Sequence, residues 1–299
     1  MKIIIIGSQG FIGSHAFDYF SVNNEVLGAD VIDNVDQENY IQLDKQTTDY
    51  NPIFEKNQFD VCINASGNGS VPISINLPVF DFELNTFNTI KVLEAIKIHN
   101  PNCKFINLSS AAIYGNPLKL PINETDQARP LSPYGWHKLY SEQICKEYFY
   151  LYNIKTINLR LFSVYGEGLR KQLFWDIYKK CLRNNKIELF GTGAETRDFI
   201  YIKDLIVVLK FIIEDGLFNG ESVNVASGIE TTIKEAATIF CKEIDPEISI
   251  TFNNLVKPGD PHNWRADVSL LNSFGCQTTT EINVGLKNLV EWLKESKLH

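Results

Sequence analysis

The chain opens with Lys2-Ile3-Ile4-Ile5-Ile6 and passes at once into Gly7-Ser8-Gln9-Gly10-Phe11-Ile12-Gly13, a succession that few folds accommodate. An unbroken β-branched run offers water no polar face, so it reads as a strand buried on both sides, as in a helix-covered parallel sheet. The glycines recur as G-x-x-G-x-x-G and lead into a helical pattern from Ser14 to Phe20. Strand, tight turn and helix in this order aim the backbone N–H groups of Gly7, Gly10, Phe11, Ile12 and Gly13 at an anion, with no side chain in the way of a pyrophosphate. A second strand, Glu25 to Asp30, ends in a carboxylate about 17 residues after the last glycine, where an acid accepts from adenosine ribose hydroxyls. That charge repels a 2′-phosphate, so NAD is expected rather than NADP, with Asp33 a rival for the same role.

The rhythm continues. Short apolar strands are expected at Phe59–Asn64, Lys104–Ser109 and Lys155–Leu161, and helices at Phe80–His99 and Tyr134–Tyr152. The alternation predicts an α/β protein: a Rossmann-type doubly wound parallel sheet, with ligands at the carboxyl ends of its strands. Past Tyr165 the rhythm loosens. A helix from Gln172 to Asn184, a Gly191-Thr192-Gly193 turn and a last helix from Glu281 to Lys294 suggest a smaller C-terminal α/β lobe that holds the substrate. The expected division is 1–165 for the dinucleotide and 166–299 mainly for the substrate, with segments near 194–215 crossing back.

Composition narrows the partners. A formal charge of −8 with no basic stripe argues against nucleic acid, and no apolar run approaches the ~20 residues of a membrane span. The six cysteines show no paired spacing and read as buried free thiols, and the N-terminal strand leaves no room for a cleavable signal; both point to the cytoplasm.

Tyr134 and Lys138 stand four apart on an expected helix, so both side chains leave the same face. A phenol near pKa ~10 is a poor base at neutral pH, and a neighbouring ammonium stabilises its phenolate. A strand ends shortly before, in Ser109-Ser110-Ala111-Ala112-Ile113-Tyr114-Gly115. A serine hydroxyl at that strand end, beside the same cofactor, can bond the oxygen undergoing oxidation. Farther on, Arg197 follows a glycine-rich turn, and its fork suits phosphate oxygens; the competing expectation is a salt bridge with Asp198 or Asp204. Trp264 is open to two roles, stacking on a base or filling the interface between lobes.

With these motifs the chain resembles the extended short-chain dehydrogenase/reductase family, and within it the nucleotide-sugar epimerases, dehydratases and ketoreductases. The resemblance spans nearly the whole chain. It includes the glycine turn, Ser74 with Pro78 and Asn85, the Ser109–Gly115 strand end, Tyr134/Lys138, Arg160 to Gly166, Arg197 to Tyr201 and Pro258-Gly259-Asp260. It implies Ser110, Tyr134 and Lys138 as the catalytic trio and Asp30 and Asp44 at the adenosine end of NAD. It further implies Ser74, Asn85, Arg197, Lys257 and Asp260 against a nucleotide-diphospho-sugar. A homodimer is implied too, through helices starting near Asn85 and Tyr134, with Tyr148, Phe149 and Tyr152 exposed without it. Several positions depart from the pattern. Ala111 and Ala112 replace the Asp-Glu pair of the 4,6-dehydratases, Lys257 replaces a usual Arg, Ser163 a usual Asn and Asn88 a usual glycine. The expectation is an NAD-dependent epimerase acting through oxidation at hexose C4. The alternatives are an NAD(P)H-dependent reductase of a nucleotide-linked 4-keto-6-deoxy sugar and a non-catalytic NAD(P)-sensing module.

Overall fold

A computed structural model describes residues 1–33, 38–45, 48–255 and 259–296. Its strands are β1 (Lys2–Ile6), β2 (Glu25–Asp30), β3 (Tyr40–Gln42), β4 (Val61–Asn64), β5 (Lys104–Ser110), β6 (Thr156–Leu161), β7 (Ser163–Tyr165), β8 (Lys186–Leu189), β9 (Thr196–Tyr201), β10 (Ser222–Val225), β11 (Glu230–Thr232) and β12 (Ser249–Phe252). The helices are α1 (Phe11–Ser21), α2 (Asn51–Lys56), α3 (Val71–Asn76), α4 (Pro78–Phe82), α5 (Asn88–His99), α6 (Pro133–Tyr152), α7 (Gln172–Cys181), α8 (Ile202–Asp215), α9 (Ile233–Ile244), α10 (Ser269–Ser273) and α11 (Ile282–Glu295).

Seven strands form one parallel sheet in the order β10-β6-β5-β4-β1-β2-β3. The isoleucines of β1 are almost wholly buried because each face of the sheet carries its own helix layer. Ile3 and Ile5 pack with α1 and α8, whereas Ile4 and Ile6 pack with α2, α5 and α6. Each buried isoleucine stabilises the fold by about 1.5–3 kcal/mol relative to an exposed one. The order reverses between β1 and β4, which opens a crevice at their carboxyl ends. Small sheets, β11-β9-β7 and β12-β8, complete the C-terminal half. The strand that rejoins the main sheet is β10, while α8 docks on α1.

The expected helix over Phe80–His99 is interrupted: a π-helical turn at Glu83–Phe87 separates α4 from α5. The helix α6 is bounded by local chemistry. Ser132 Oγ caps its start by accepting from Gly135 N at 3.3 Å, Pro133 follows, and Asn153 ends it in the left-handed region at φ 57°. No helix among the described residues is long and apolar enough to cross a membrane.

Candidate active site

Gly7 leaves β1 at φ +82°, and a Cβ there would lie 2.7 Å from the Ala65 and Ser66 backbone. A Cβ on Gly13 would come within 2.0 Å of Gly7 O, so α1 can meet the turn this closely only through glycine. The N–H groups of Phe11 and Ile12, at the head of α1, have no backbone acceptor among the described residues. Asp30, at the end of β2, braces the turn: its Oδ2 accepts from Gln9 N at 2.9 Å and its Oδ1 from Val31 N at 2.7 Å. Leu43 N donates to Asp30 O at 2.7 Å, which brings the exposed Asp44 beside it; Asp33 is exposed three residues farther on. Glycine turn, free amides and an acid at the second strand end fit a dinucleotide.

Ser110 ends β5, and its hydroxyl accepts from Ala112 N at 3.1 Å. The Tyr134 phenol comes to it from the first turn of α6. Burial raises the phenol above its ordinary value; the Ser110 hydroxyl lowers it toward its ionised form and Asp81 raises it further. One turn on, Lys138 Nζ donates to Leu108 O at 2.9 Å and lies 6.0 Å from the centroid of the Tyr134 ring. Desolvation pushes this lysine down to about 8, against Asp81 and Glu142, which favour its charged form. The three expected catalytic residues therefore converge at the carboxyl end of β5, two strands from the glycine turn.

Two buried charge clusters hold this constellation. The fully buried Asp81 pairs with His137 Nδ1 and accepts from Asn68 Nδ2 at 2.6 Å and Asn85 Nδ2 at 3.1 Å. It links the loop after β4 to the residue preceding Lys138. Glu142, one turn beyond Lys138, accepts from Ser109 Oγ at 2.6 Å, Arg160 Nη2 at 2.8 Å and Ser222 Oγ at 3.0 Å. Arg160 Nη1 continues to Tyr114 Oη at 2.7 Å, so α6 is bound across β5, β6 and β10. Sequence reading missed both clusters; the one local signal was a histidine beside Lys138, and its partner lies 56 residues away. Asn88 also finds a purpose, accepting from Tyr50 Oη at 2.9 Å and donating to Ser66 Oγ at 3.0 Å.

The expected substrate residues are placed unevenly. Ser74 is buried, its hydroxyl donating to Val71 O at 2.7 Å. Asn85 sits in the π-helical turn, donating to Asn68 O and Asp81, while its buried Oδ1 has no hydrogen-bond partner among the described residues. Arg197 lies on β9, with its guanidinium 5.5 Å from the Trp264 ring and Nη1 donating to Thr196 O at 2.8 Å. Desolvation lowers its pKa, opposed by Asp260 and Glu195. The competing salt bridges do not form. Asp198 accepts from Ser227 N, Gly228 N and Ala266 N, burial pushing it up to about 6, and Asp204 holds Thr280. Trp264 fills the interface: its Nε1 donates to Gly115 O at 2.9 Å and its ring meets Phe162 edge-on. Lys257 and Pro258 lie outside the described residues. One expectation is corrected. Tyr148 is buried within the chain, donating to Glu94 Oε1 at 2.8 Å, because α6 turns that face toward α5. Tyr152 is exposed as expected, as are the apolar residues Val79, Phe80, Phe87, Trp136 and Tyr140 on α4, the π-helical turn and α6.

Residues 3–226 match the family model described as the NAD dependent epimerase/dehydratase family. The chain is 29% identical to the putative UDP-glucose 4-epimerase of Methanocaldococcus jannaschii, over 98% of this chain and 99% of that protein. Among solved structures, the UDP-glucuronic acid 4-epimerase of Bacillus cereus, in complex with UDP-glucuronic acid and NAD, matches with a TM-score of 0.90 at 27% identity, over 99% of this chain and 100% of that one. The UDP-glucose 4-epimerase of Thermotoga maritima, solved with UDP-glucose, gives 0.90 at 25% identity, over 99% of both chains.

Proposed function

The chain belongs to the NAD-dependent epimerase/dehydratase family, and on that premise we propose that it inverts C4 of a UDP-linked hexose while keeping its NAD. The observation that carries this reading is Ser110 and Tyr134 meeting at the carboxyl end of β5 with the Lys138 ammonium 6.0 Å from the phenol ring. Bound NAD would supply the hydride-accepting and hydride-returning chemistry needed at sugar C4. Gly7, Gly10, Phe11, Ile12 and Gly13 would hold its pyrophosphate, with Asp30 and Asp44 toward the adenosine ribose.

Tyr134 Oη accepts the C4 hydroxyl proton and later gives it back, so one residue serves as base and acid. Ser110 Oγ orients the reacting oxygen. Lys138 favours the phenolate through its charge. Ala111 and Ala112 bring no carboxylate to C5 or C6, so the residues present suit inversion rather than elimination. Arg197 and Asp260 face the diphosphate and nucleoside ribose in this reading, the role expected of Lys257 as well, so residues 1–165 serve the dinucleotide and 166–299 mainly the sugar nucleotide. Two copies associate through the exposed face of α4 and α6.

Purified protein that interconverts UDP-glucose and UDP-galactose without added reductant supports the proposal. Strict consumption of one NADPH per product replaces it with the 4-ketoreductase reading. Tyr134→Phe should lose about 10²–10⁴-fold in turnover. A variant with every property intact would mark a sensing module instead.

A further inference from the structure

Lys171 stands outside every role described so far. It ends the segment joining β7 to α7, and that segment is clamped to the start of α1. His15 Nε2 donates to Glu167 O at 2.8 Å, and a Cβ on Gly168 would lie 3.6 Å from both His15 Nε2 and the Phe11 ring. A Cβ on Gly69 would lie 3.4 Å from Lys171 Nζ, so the ammonium rests over the loop that follows β4. The same loop touches the glycine turn through Ala65 and Ser66. The ammonium of the C-terminal half thus overhangs the crevice between β1 and β4, where the strand order reverses.

Its charge is unanswered among the described residues. The Glu167 carboxylate is taken by Tyr201 Oη at 2.7 Å and Lys203 Nζ at 3.1 Å. The Arg170 guanidinium turns elsewhere, 5.6 Å from the Trp292 ring. Lys171 is exposed as a residue, yet desolvation alone holds it below the ordinary lysine value and no carboxylate offsets this. An ammonium and the free amides of Phe11 and Ile12 around one crevice make a surplus of positive potential that an anion relieves.

We propose that Lys171 donates to a phosphate oxygen of a diphosphate bound in this crevice, with the pyrophosphate of the dinucleotide as its source. The segment before α7 is then a strap from the second lobe that holds the cofactor against the glycine turn. This rests on the NAD reading above. The neighbours of the strap and its ammonium decide between the two possible diphosphates. Phe11, His15 and Gly69 flank β1 and β4, whereas Arg197, the phosphate candidate of the sugar nucleotide, is on β9.

Calorimetric titration of Lys171→Met and Lys171→Arg with NAD, ADP-ribose and UDP tests it without any turnover. Lys171→Met should bind NAD and ADP-ribose about tenfold to a hundredfold more weakly, as expected for loss of a charged hydrogen bond. UDP affinity should hold within about twofold, and Lys171→Arg should keep most of the NAD affinity. Because residue 171 is exposed, the melting temperature of the ligand-free variants should match that of the parent. Weakened UDP binding with unchanged ADP-ribose binding overturns the assignment in favour of the substrate's diphosphate. Unchanged affinity for all three ligands overturns the contact altogether. A parent protein that binds neither NAD nor ADP-ribose overturns the NAD reading itself, a result distinct from the other two.

Discussion

Replacing Lys138 with methionine keeps the length of a buried side chain and removes its charge from beside Tyr134. The Nζ lies 6.0 Å from the phenol ring centroid. At an effective dielectric near 20, a unit charge at that distance stabilises the phenolate by roughly 3 kcal/mol, about two pH units. The phenol is raised above its ordinary value by burial and further by Asp81, so removing a neighbouring positive charge works against its ionised form. The sign follows directly. Lys138 is held down to about 8, so it is charged below that pH and loses its charge above it. The parent protein should lose activity as pH rises through about 8, where Lys138 gives up the charge that favours the phenolate. Lys138→Met should abolish the decline above pH 8 and cost about a hundredfold at pH 7. The assay is UDP-glucose/UDP-galactose interconversion at saturating NAD between pH 5.5 and 9.5. A variant whose profile keeps the decline near pH 8 and loses only amplitude, or only NAD affinity, refutes the electrostatic role.

Three further outcomes are expected. Gly13→Ala places its Cβ 2.0 Å from Gly7 O and should lower the melting temperature markedly, whereas a Cβ on Gly10 meets only Gly7 O at 3.2 Å, so Gly10→Ala should fold and lose mainly NAD affinity; equal melting curves for the two would refute this. Glu142→Gln leaves the Arg160 guanidinium buried without its counter-charge and should cost about 3–5 kcal/mol in urea unfolding, a loss below about 1 kcal/mol counting against the network. Phe80→Glu combined with Trp136→Glu, on the exposed apolar face, should convert a dimer into a monomer in sedimentation; a monomeric parent protein would show that this face has another use.

Much of this protein is written in short stretches of chain. The β1 run, the glycine turn and the acid at Asp30 specify a parallel strand and its dinucleotide turn, because burial on both faces and the clash of a Cβ at Gly13 are properties of a few adjacent residues. The Tyr134–Lys138 spacing places two side chains together through helical periodicity alone. What needed the tertiary structure are the contacts between distant segments, since no local pattern encodes which loop will meet which helix. Asp81 finds His137, Glu142 finds Arg160, and Tyr148 turns inward rather than toward a partner. Trp264 takes its place under Gly115, and Lys171 arrives over Gly69 only because the segment before α7 folds back onto α1. The candidate site was legible because it rests on residue type and spacing. Its support was not, because buried charges choose partners in space, after the sheet has brought them together.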